Sequence, residues 1–272
     1  MPAVLQLQDV RFGYEPDQVV IDSLSGELAG GRLCALIGPN AAGKTTLLRL
    51  MLGQLEPGRG VLRLAGQPLG RIAPRRRAAM VSYVPRHGQV SFAFTVEQVV
   101  TMGRFALSRD DEAVEEAMAV CDLAPLRRRV FAELSAGQQQ RVLLARAIAQ
   151  ARGDGCAILL DEPVSSMDLR HVHQTMQTLV RLARSGLAVV VVLHDLNLAG
   201  RYADDVWLLH RGRLAASGPW RQVLTAQRLG SVYGVQVHRL DQSPAGRPMF
   251  CVEVDATLKT ARDAEPHRTA TP

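Results

Sequence analysis

The sequence predicts an α/β fold built on a mostly parallel sheet that is covered on both faces. Three observations carry that expectation. Short apolar runs alternate with segments of helical spacing along most of the 272 residues. One apolar run, "GRLCALIG", ends in glycine and leads into "GPNAAGKTT". Two more, "CAILLDEP" and "LAVVVVLHD", are continuous apolar strands, the pattern of strands buried on both faces, and each closes on acidic residues.

The elements follow in chain order. "VLQLQDV" alternates like a half-buried strand, and "GRLCALIG" is a buried one. "KTTLLRLMLGQL" has helical spacing, and "GVLRLAG" returns to strand. From about residue 92 to 150 the pattern is helical, through "TVEQVVTMGR", "DDEAVEEAMAVCDL" and "GQQQRVLLARAIAQA". This block interrupts the alternation and reads as a subdomain of its own. "CAILLDEP" is a strand, 171–184 a helix, "LAVVVVLHD" a strand and "DVWLLHRGRL" a hairpin-like end. The polar, proline-containing end "DAEPHRTATP" reads as a disordered tail over 257–272.

Composition narrows the classes. Hydrophobic residues are 47% and charged residues 21%, as in ordinary globular chains. The longest apolar run, 187–193, is too short to cross a bilayer, and "MPAVLQLQDV" lacks the pattern of a secretory signal. A cytoplasmic protein is expected, with room for attachment to the inner face of a membrane. The net charge of +6, with "RRR" at 75–77 and 127–129, suits an anionic ligand or an acidic surface, or is a solvated face. Cys34, Cys121, Cys156 and Cys251 lie far apart without a CxxC, so buried, inert thiols are expected rather than disulfides or zinc. His171 and His173 stand two apart on a helix and face different directions, which argues against a shared metal.

"GPNAAGKTT", residues 38–46, fits G-x-x-x-x-G-K-[ST] between a strand and a helix. Gly38 and Gly43 allow the tight turn through Pro39, Asn40, Ala41 and Ala42, so that backbone N–H groups and the helix N-terminus converge on phosphate. Lys44 adds a cation for the outer phosphates, Thr45 a hydroxyl for Mg2+, and Thr46 completes the run. Asp161 ends an apolar strand and can hold Mg2+ through water. Glu162, next to it, can orient and deprotonate an attacking water. A P-loop nucleotide hydrolase is the expected class.

"LSAGQQQR", residues 134–141, resembles the LSGGQ signature of ATP-binding cassette (ABC) proteins. "SSMD" at 165–168, His194 in "VVVLHD" and Tyr14 in "VRFGYEPDQVV" also match that family's order of motifs, over residues 4 to about 220. The resemblance implies a RecA-like core with an N-terminal antiparallel β subdomain and an inserted helical subdomain. It divides one domain, 1–256, into a nucleotide-binding core at 1–85 and 151–230, a helical subdomain at 86–150 and a C-terminal extension at 231–256. It also implies a homodimer with ATP between the P-loop of one copy and the signature of the other. Ser135, Ala136, Gly137 and Gln138 would then act in trans, with Asp168 at the dimer seam, Tyr14 under the adenine and His194 at the γ-phosphate. Each has a plainer reading beside it: Ser135 as a helix cap, His194 as a core histidine, Tyr14 as strand packing. Ala41 and Ala136 replace family glycines; alanine resists φ > 0, and tolerance is expected.

"FAFTVEQVVTMGR" and "LTAQRLGSVYGVQVHRL" are similar to ATPase subunits of iron–siderophore, haem and cobalamin importers, with the haem branch nearest. That implies a separate membrane permease, a periplasmic or extracellular binding protein reached through it, no nucleic acid, and a peripheral place on the cytoplasmic side of the inner membrane. Zinc or manganese importers are the rival, and a soluble ATPase switch in a cytoplasmic complex is the other class. In "SYVPRHGQV" the family's glutamine is Arg86. Guanidinium has no acceptor and cannot ligate a cation. Three placements follow: Arg86 as a γ-phosphate clamp, Arg86 turned to solvent or to an acidic permease group, or Gln89 substituting after a shift. Repulsion between cations favours an Arg86 that points away from Mg2+.

Overall fold

Residues 3–15, 17–88, 90, 92–240 and 246–253 are described by the structure, a computed structural model. Gln89 and the expected tail at 257–272 lie outside them. The alternating strand of the N-terminus is β1 (Ala3–Gly13), which pairs antiparallel with β2 (Val19–Ala29) on one side and β4 (Arg59–Leu64) on the other. The two-residue β5 (Gln67–Pro68) completes a four-stranded sheet in the order β2-β1-β4-β5.

The second sheet has six strands. β3 (Leu33–Ile37) lies between β8 (Ala188–Val192) and β9 (Asp205–His210); β7 (Ala157–Asp161) and β6 (Val81–Val84) extend it on the far side of β8, and β10 (Arg213–Pro219) extends it beyond β9. Every pairing is parallel except β9–β10, the expected hairpin. β3, β7 and β8 are buried at every residue. The two-residue period explains their unbroken apolar runs: Leu33, Ala35 and Ile37 join one hydrophobic core, while Cys34 and Leu36 join the other. The first core lies under α5 (Ala136–Ala151), α6 (Leu169–Arg184) and α7 (Leu196–Tyr202). The second lies between the sheet, α1 (Lys44–Met51) and the antiparallel sheet. There Trp207 of β9 lies against Gly26 of β2 so closely that a Cβ on Gly26 would come within 2.7 Å of the indole.

Between β6 and β7 the chain is helical. α2 (Pro74–Met80) precedes β6. α3 (Val96–Thr101) starts at a capping box between Thr95 and Gln98, and α4 (Asp111–Val120) is capped by Asp110. α5 carries this block onto the sheet, and Gln150 bonds the Ala78 carbonyl at 2.7 Å.

The chain ends in α8 (Trp220–Val223), α9 (Ala226–Tyr233) and the hairpin of β11 (Val237–Leu240) with β12 (Met249–Val252). That hairpin grips α7. Phe250 N donates to Asn197 Oδ1 at 2.6 Å, Asn197 Nδ2 donates to the Phe250 carbonyl at 3.2 Å, and Arg247 reaches the carbonyls of Gly200 and Ala203. Arg221 and Arg247 stack over the Trp220 ring, at 4.6 and 5.0 Å from its centroid.

The expectation of buried thiols holds for two of the four, since Cys156 is only half-buried and Cys251 lies at the surface. Cys34 and Cys121 are buried, and burial pushes both thiols up, Cys121 to about 12. Cys251 is exposed. The alternation of β12 turns Phe250 into the core and Cys251 outward. Among the described residues no helix is long and apolar enough to cross a membrane.

Candidate functional site

Strand order and register build the site. Four neighbouring parallel strands, in the order β3-β8-β7-β6, end on the same edge of the sheet. The phosphate loop follows β3, His194 follows β8, Asp161 and Glu162 end β7, and Arg86 follows β6. Such carboxyl-end edges are where open α/β sheets place ligands. Val84 pairs with Leu160, so Arg86 and Glu162, each two residues further on, leave the sheet at one level. Val192 pairs with Asp161, which brings His194 to the same place.

The loop at 38–46 is held by its backbone. A Cβ on Gly38 would come 2.1 Å from the Leu209 carbonyl of β9, so glycine is required by close approach. Gly43 has φ +102 and opens α1. Lys44 is buried, and its Nζ donates to the carbonyls of Gly38 and Pro39 at 2.8 Å each. Burial holds the ammonium below its ordinary range, against the opposing pull of Glu162 and Asp161. Thr45 Oγ1 donates to Asp161 Oδ2 at 2.9 Å. Asp161 Oδ1 is buried with no hydrogen-bond partner. Burial raises the Asp161 carboxyl, and the Thr45 hydroxyl opposes this.

Glu162 is buried and holds φ +49, the left-handed region that a side chain enters at a cost of roughly 1–2 kcal/mol. Ser165 closes the turn behind it, with N and Oγ both bonding the Glu162 carbonyl. The carboxylate is bracketed. His194 Nε2 lies 2.5 Å from Oε1, and Arg86 Nε lies 3.0 Å from Oε2. The Arg86 contact has ion-pair distance but not hydrogen-bond alignment, and Oε2 makes no hydrogen bond. Arg86 thus lies against the neighbouring carboxylate, a contact that sequence reasoning did not foresee.

Tyr14 is half exposed, packs edge-on against Phe12 at 5.0 Å and reaches Thr46 Oγ1 at 3.3 Å, beside the loop. Ser135 caps α5, its Oγ accepting from Gln138 N at 3.3 Å while Gln138 Oε1 accepts from Ser135 N at 3.0 Å. Gly137 sits against the 165–168 turn; a Cβ there would come 2.8 Å from the Ser166 carbonyl. Asp168 caps α6 through the His171 amide at 2.9 Å, and that bond with the His171 ring holds its carboxyl below the usual range. Among the described residues, the hydrogen bonds of Ser135 and Asp168 stay within these caps and do not reach residues 38–46. His171 and His173 turn to different partners, His173 bonding the Tyr202 hydroxyl at 2.6 Å.

Two residues escaped sequence reasoning. Gln140 is buried and bonds the Pro85 carbonyl at 3.0 Å, tying the Arg86 loop to α5. Tyr233 of α9 buries its hydroxyl near Gly38, outside hydrogen-bond geometry, and burial pushes it up to about 12. The glutamine run in "GQQQR" was a signal for the first; nothing in the sequence pairs residue 233 with residue 38.

The two alanines differ. Ala136 opens α5 in helical conformation, whereas Ala41 holds φ +61. Ala41→Gly should therefore stabilise the chain by about 0.5–1 kcal/mol, after the larger unfolded-state entropy of glycine is counted. A thermal midpoint raised by about 2 °C is the expected reading; a lowered one would contradict the strain.

Comparison with known proteins gives a consistent set. The family profile described as "ABC transporter" matches residues 21–165. A Hemin import ATP-binding protein HmuV from Rhodopseudomonas palustris is 41% identical over 228 residues, covering 80% of this chain and 83% of that protein. The protein of the same name from Pseudomonas putida is 40% identical over 253 residues, covering 91% and 99%. Among solved structures, a metal-chelate type ABC transporter in an inward-facing conformation aligns with a TM-score of 0.79 at 26% identity, covering 94% of this chain and 100% of that one. The cbiO1 subunit from Clostridium perfringens aligns with a TM-score of 0.74 at 21% identity, a likeness of fold.

Proposed function

Because the chain belongs to the ABC transporter family, we propose that it is the ATP-hydrolysing subunit of an importer for haem or a related iron chelate. The observation that carries the reading is the meeting of Glu162, His194 and the Thr45–Asp161 pair beside the phosphate loop, on one edge of the sheet. The names of the relatives supply the cargo, since the site itself would see only nucleotide.

In this reading residues 38–46 and Lys44 hold the phosphates, and Tyr14 supports the base. Lys44 exchanges its bonds to the loop carbonyls for phosphate oxygens, which are charged and bind it more strongly. The cation implied is Mg2+. Asp161 Oδ1, buried and unpartnered beside Thr45, suits a hard cation that completes its shell with water and phosphate oxygens. Thr45 and Asp161 would hold it, and when bound it offsets phosphate charge. Glu162 accepts the proton of the attacking water, and His194 fixes the carboxylate's other oxygen and faces the γ-phosphate. Ser135 and Gly137 stand at the N-terminus of the 16-residue α5, where the side-chain bonds of Ser135 stay within the cap, which suits them to the γ-phosphate of a second copy. Asp168 then lies at the seam of a homodimer.

The permease needs a surface. Phe105 and Phe92 are 92% and 73% exposed, and Phe105 borders a groove of 850 Å³ with Phe94, Gln98 and Met102. Phe92 packs edge-on against Phe94 of the same groove, and contiguous exposed apolar patches mark interaction sites. In this reading the subunit sits on the cytoplasmic face of the membrane and reaches a substrate-binding protein through the permease. The test is co-purification with a multi-span permease, followed by ATPase measurement in lipid with haem supplied through its binding protein. Haem-stimulated turnover is expected, and Phe105→Asp should abolish the stimulation while basal turnover persists. Stimulation by zinc or manganese instead of haem would overturn the cargo.

A further inference from the structure

We propose that Arg86 is a gate on Glu162: in the free subunit its guanidinium occupies the carboxylate, and it must be withdrawn before Glu162 can accept a proton from water. The inference rests on Glu162 being the general base.

The geometry supplies the gate. A base needs an open lone pair facing the water. His194 takes Oε1 at 2.5 Å and Arg86 stands 3.0 Å from Oε2, on a side chain only 9% exposed. Both oxygens of the carboxylate are thus covered. The cover on Oε2 is the weaker one, since it lacks hydrogen-bond alignment and Arg86 is itself 53% exposed. A guanidinium in that position can leave at small cost, and phosphate oxygens offer it a stronger, bidentate partner.

The gate also has a lever. Gln140 of α5 holds the Pro85 carbonyl, and Gly88 packs so tightly on Leu143 of α5 that a Cβ there would come within 2.4 Å. Residues 85–88 are therefore fastened to α5 on both sides of Arg86. The same helix begins at Ser135. A shift of α5 when Ser135 engages phosphate moves the loop that carries Arg86, so contact at one end of the helix is felt at Glu162.

The test is the steady-state turnover of the purified full-length chain at saturating ATP and Mg2+. Arg86→Ala and Arg86→Gln should turn over roughly threefold to fivefold faster than wild type, the factor that a half-exposed ion pair supplies. Arg86→Lys, which keeps the charge, should stay closer to wild type. A residue with a merely structural role would not accelerate the reaction when removed. Unchanged or slower turnover in both Arg86→Ala and Arg86→Gln, with thermal midpoints near wild type, would overturn the gate. Glu162→Gln run in parallel separates the two readings. If it hydrolyses ATP near the wild-type rate, the general-base assignment fails and the gate with it. If it is inactive while Arg86→Ala is slow, only the gate fails.

Discussion

Glu162→Gln should bind ATP with wild-type affinity and lose turnover by roughly 10²–10⁴, the range supplied by a positioned general base. Glutamine preserves the shape of the side chain, so the left-handed turn at residue 162 and the Ser165 bonds to its carbonyl remain. The amide oxygen can still meet His194, but it cannot take a proton from water. Binding survives because Lys44 and the loop at 38–46 are untouched. With hydrolysis blocked, ATP should stay between two subunits, and a dimer should accumulate with ATP but not with ADP. Size-exclusion chromatography with each nucleotide and a turnover assay read both effects. Turnover above a tenth of wild type would remove Glu162 from its role.

Ser135→Arg should abolish hydrolysis, at least a hundredfold, while the monomer keeps its nucleotide. The reason is the separation described above: the bonds of Ser135 stay within the cap of α5. Loss of the cap costs about 1 kcal/mol, which must be distinguished from loss of function. Ser135→Asp makes that distinction. It restores a cap oxygen and also sets a negative charge where a phosphate of the partner copy would lie, so it should be stable and equally inactive. Lys44→Ala is the contrast, since it should lose nucleotide in the monomer. A Ser135→Arg protein with the same binding defect as Lys44→Ala would contradict action in trans.

Much of the fold was legible in the chain. The apolar runs of β3, β7 and β8 announced buried parallel strands, and the loop at 38–46 announced itself by spacing, because close backbone approach and a helix N-terminus leave few alternatives to glycine and lysine. The contact between Arg86 and Glu162 was not read, although its ingredients were present. Each residue lies two positions past the Val84–Leu160 pair, and once β6 and β7 are neighbours in parallel register the two side chains meet. Strand order is a property of the whole sheet, and no local pattern near residue 86 encodes it. The left-handed backbone at Ala41 was raised as a question that alanine alone could not answer. Cys251 was misread because its exposure depends on which face of a short hairpin meets α7.

The placement of the two tryptophans has a practical optical consequence. Trp207 sits where the antiparallel sheet meets the central one, and Trp220 sits under the arginines of the C-terminal segment. The stretch from α3 through α5 contains neither tryptophan nor tyrosine. Intrinsic fluorescence excited at the indole band therefore follows the sheets and the C-terminal end, and is blind to the helical block. Far-ultraviolet dichroism, dominated by helices, sees that block directly. Denaturation curves from the two signals will coincide only if the helices unfold together with the sheets. A dichroism transition that precedes the fluorescence one would show helices melting before the sheets, without a label or a mutation.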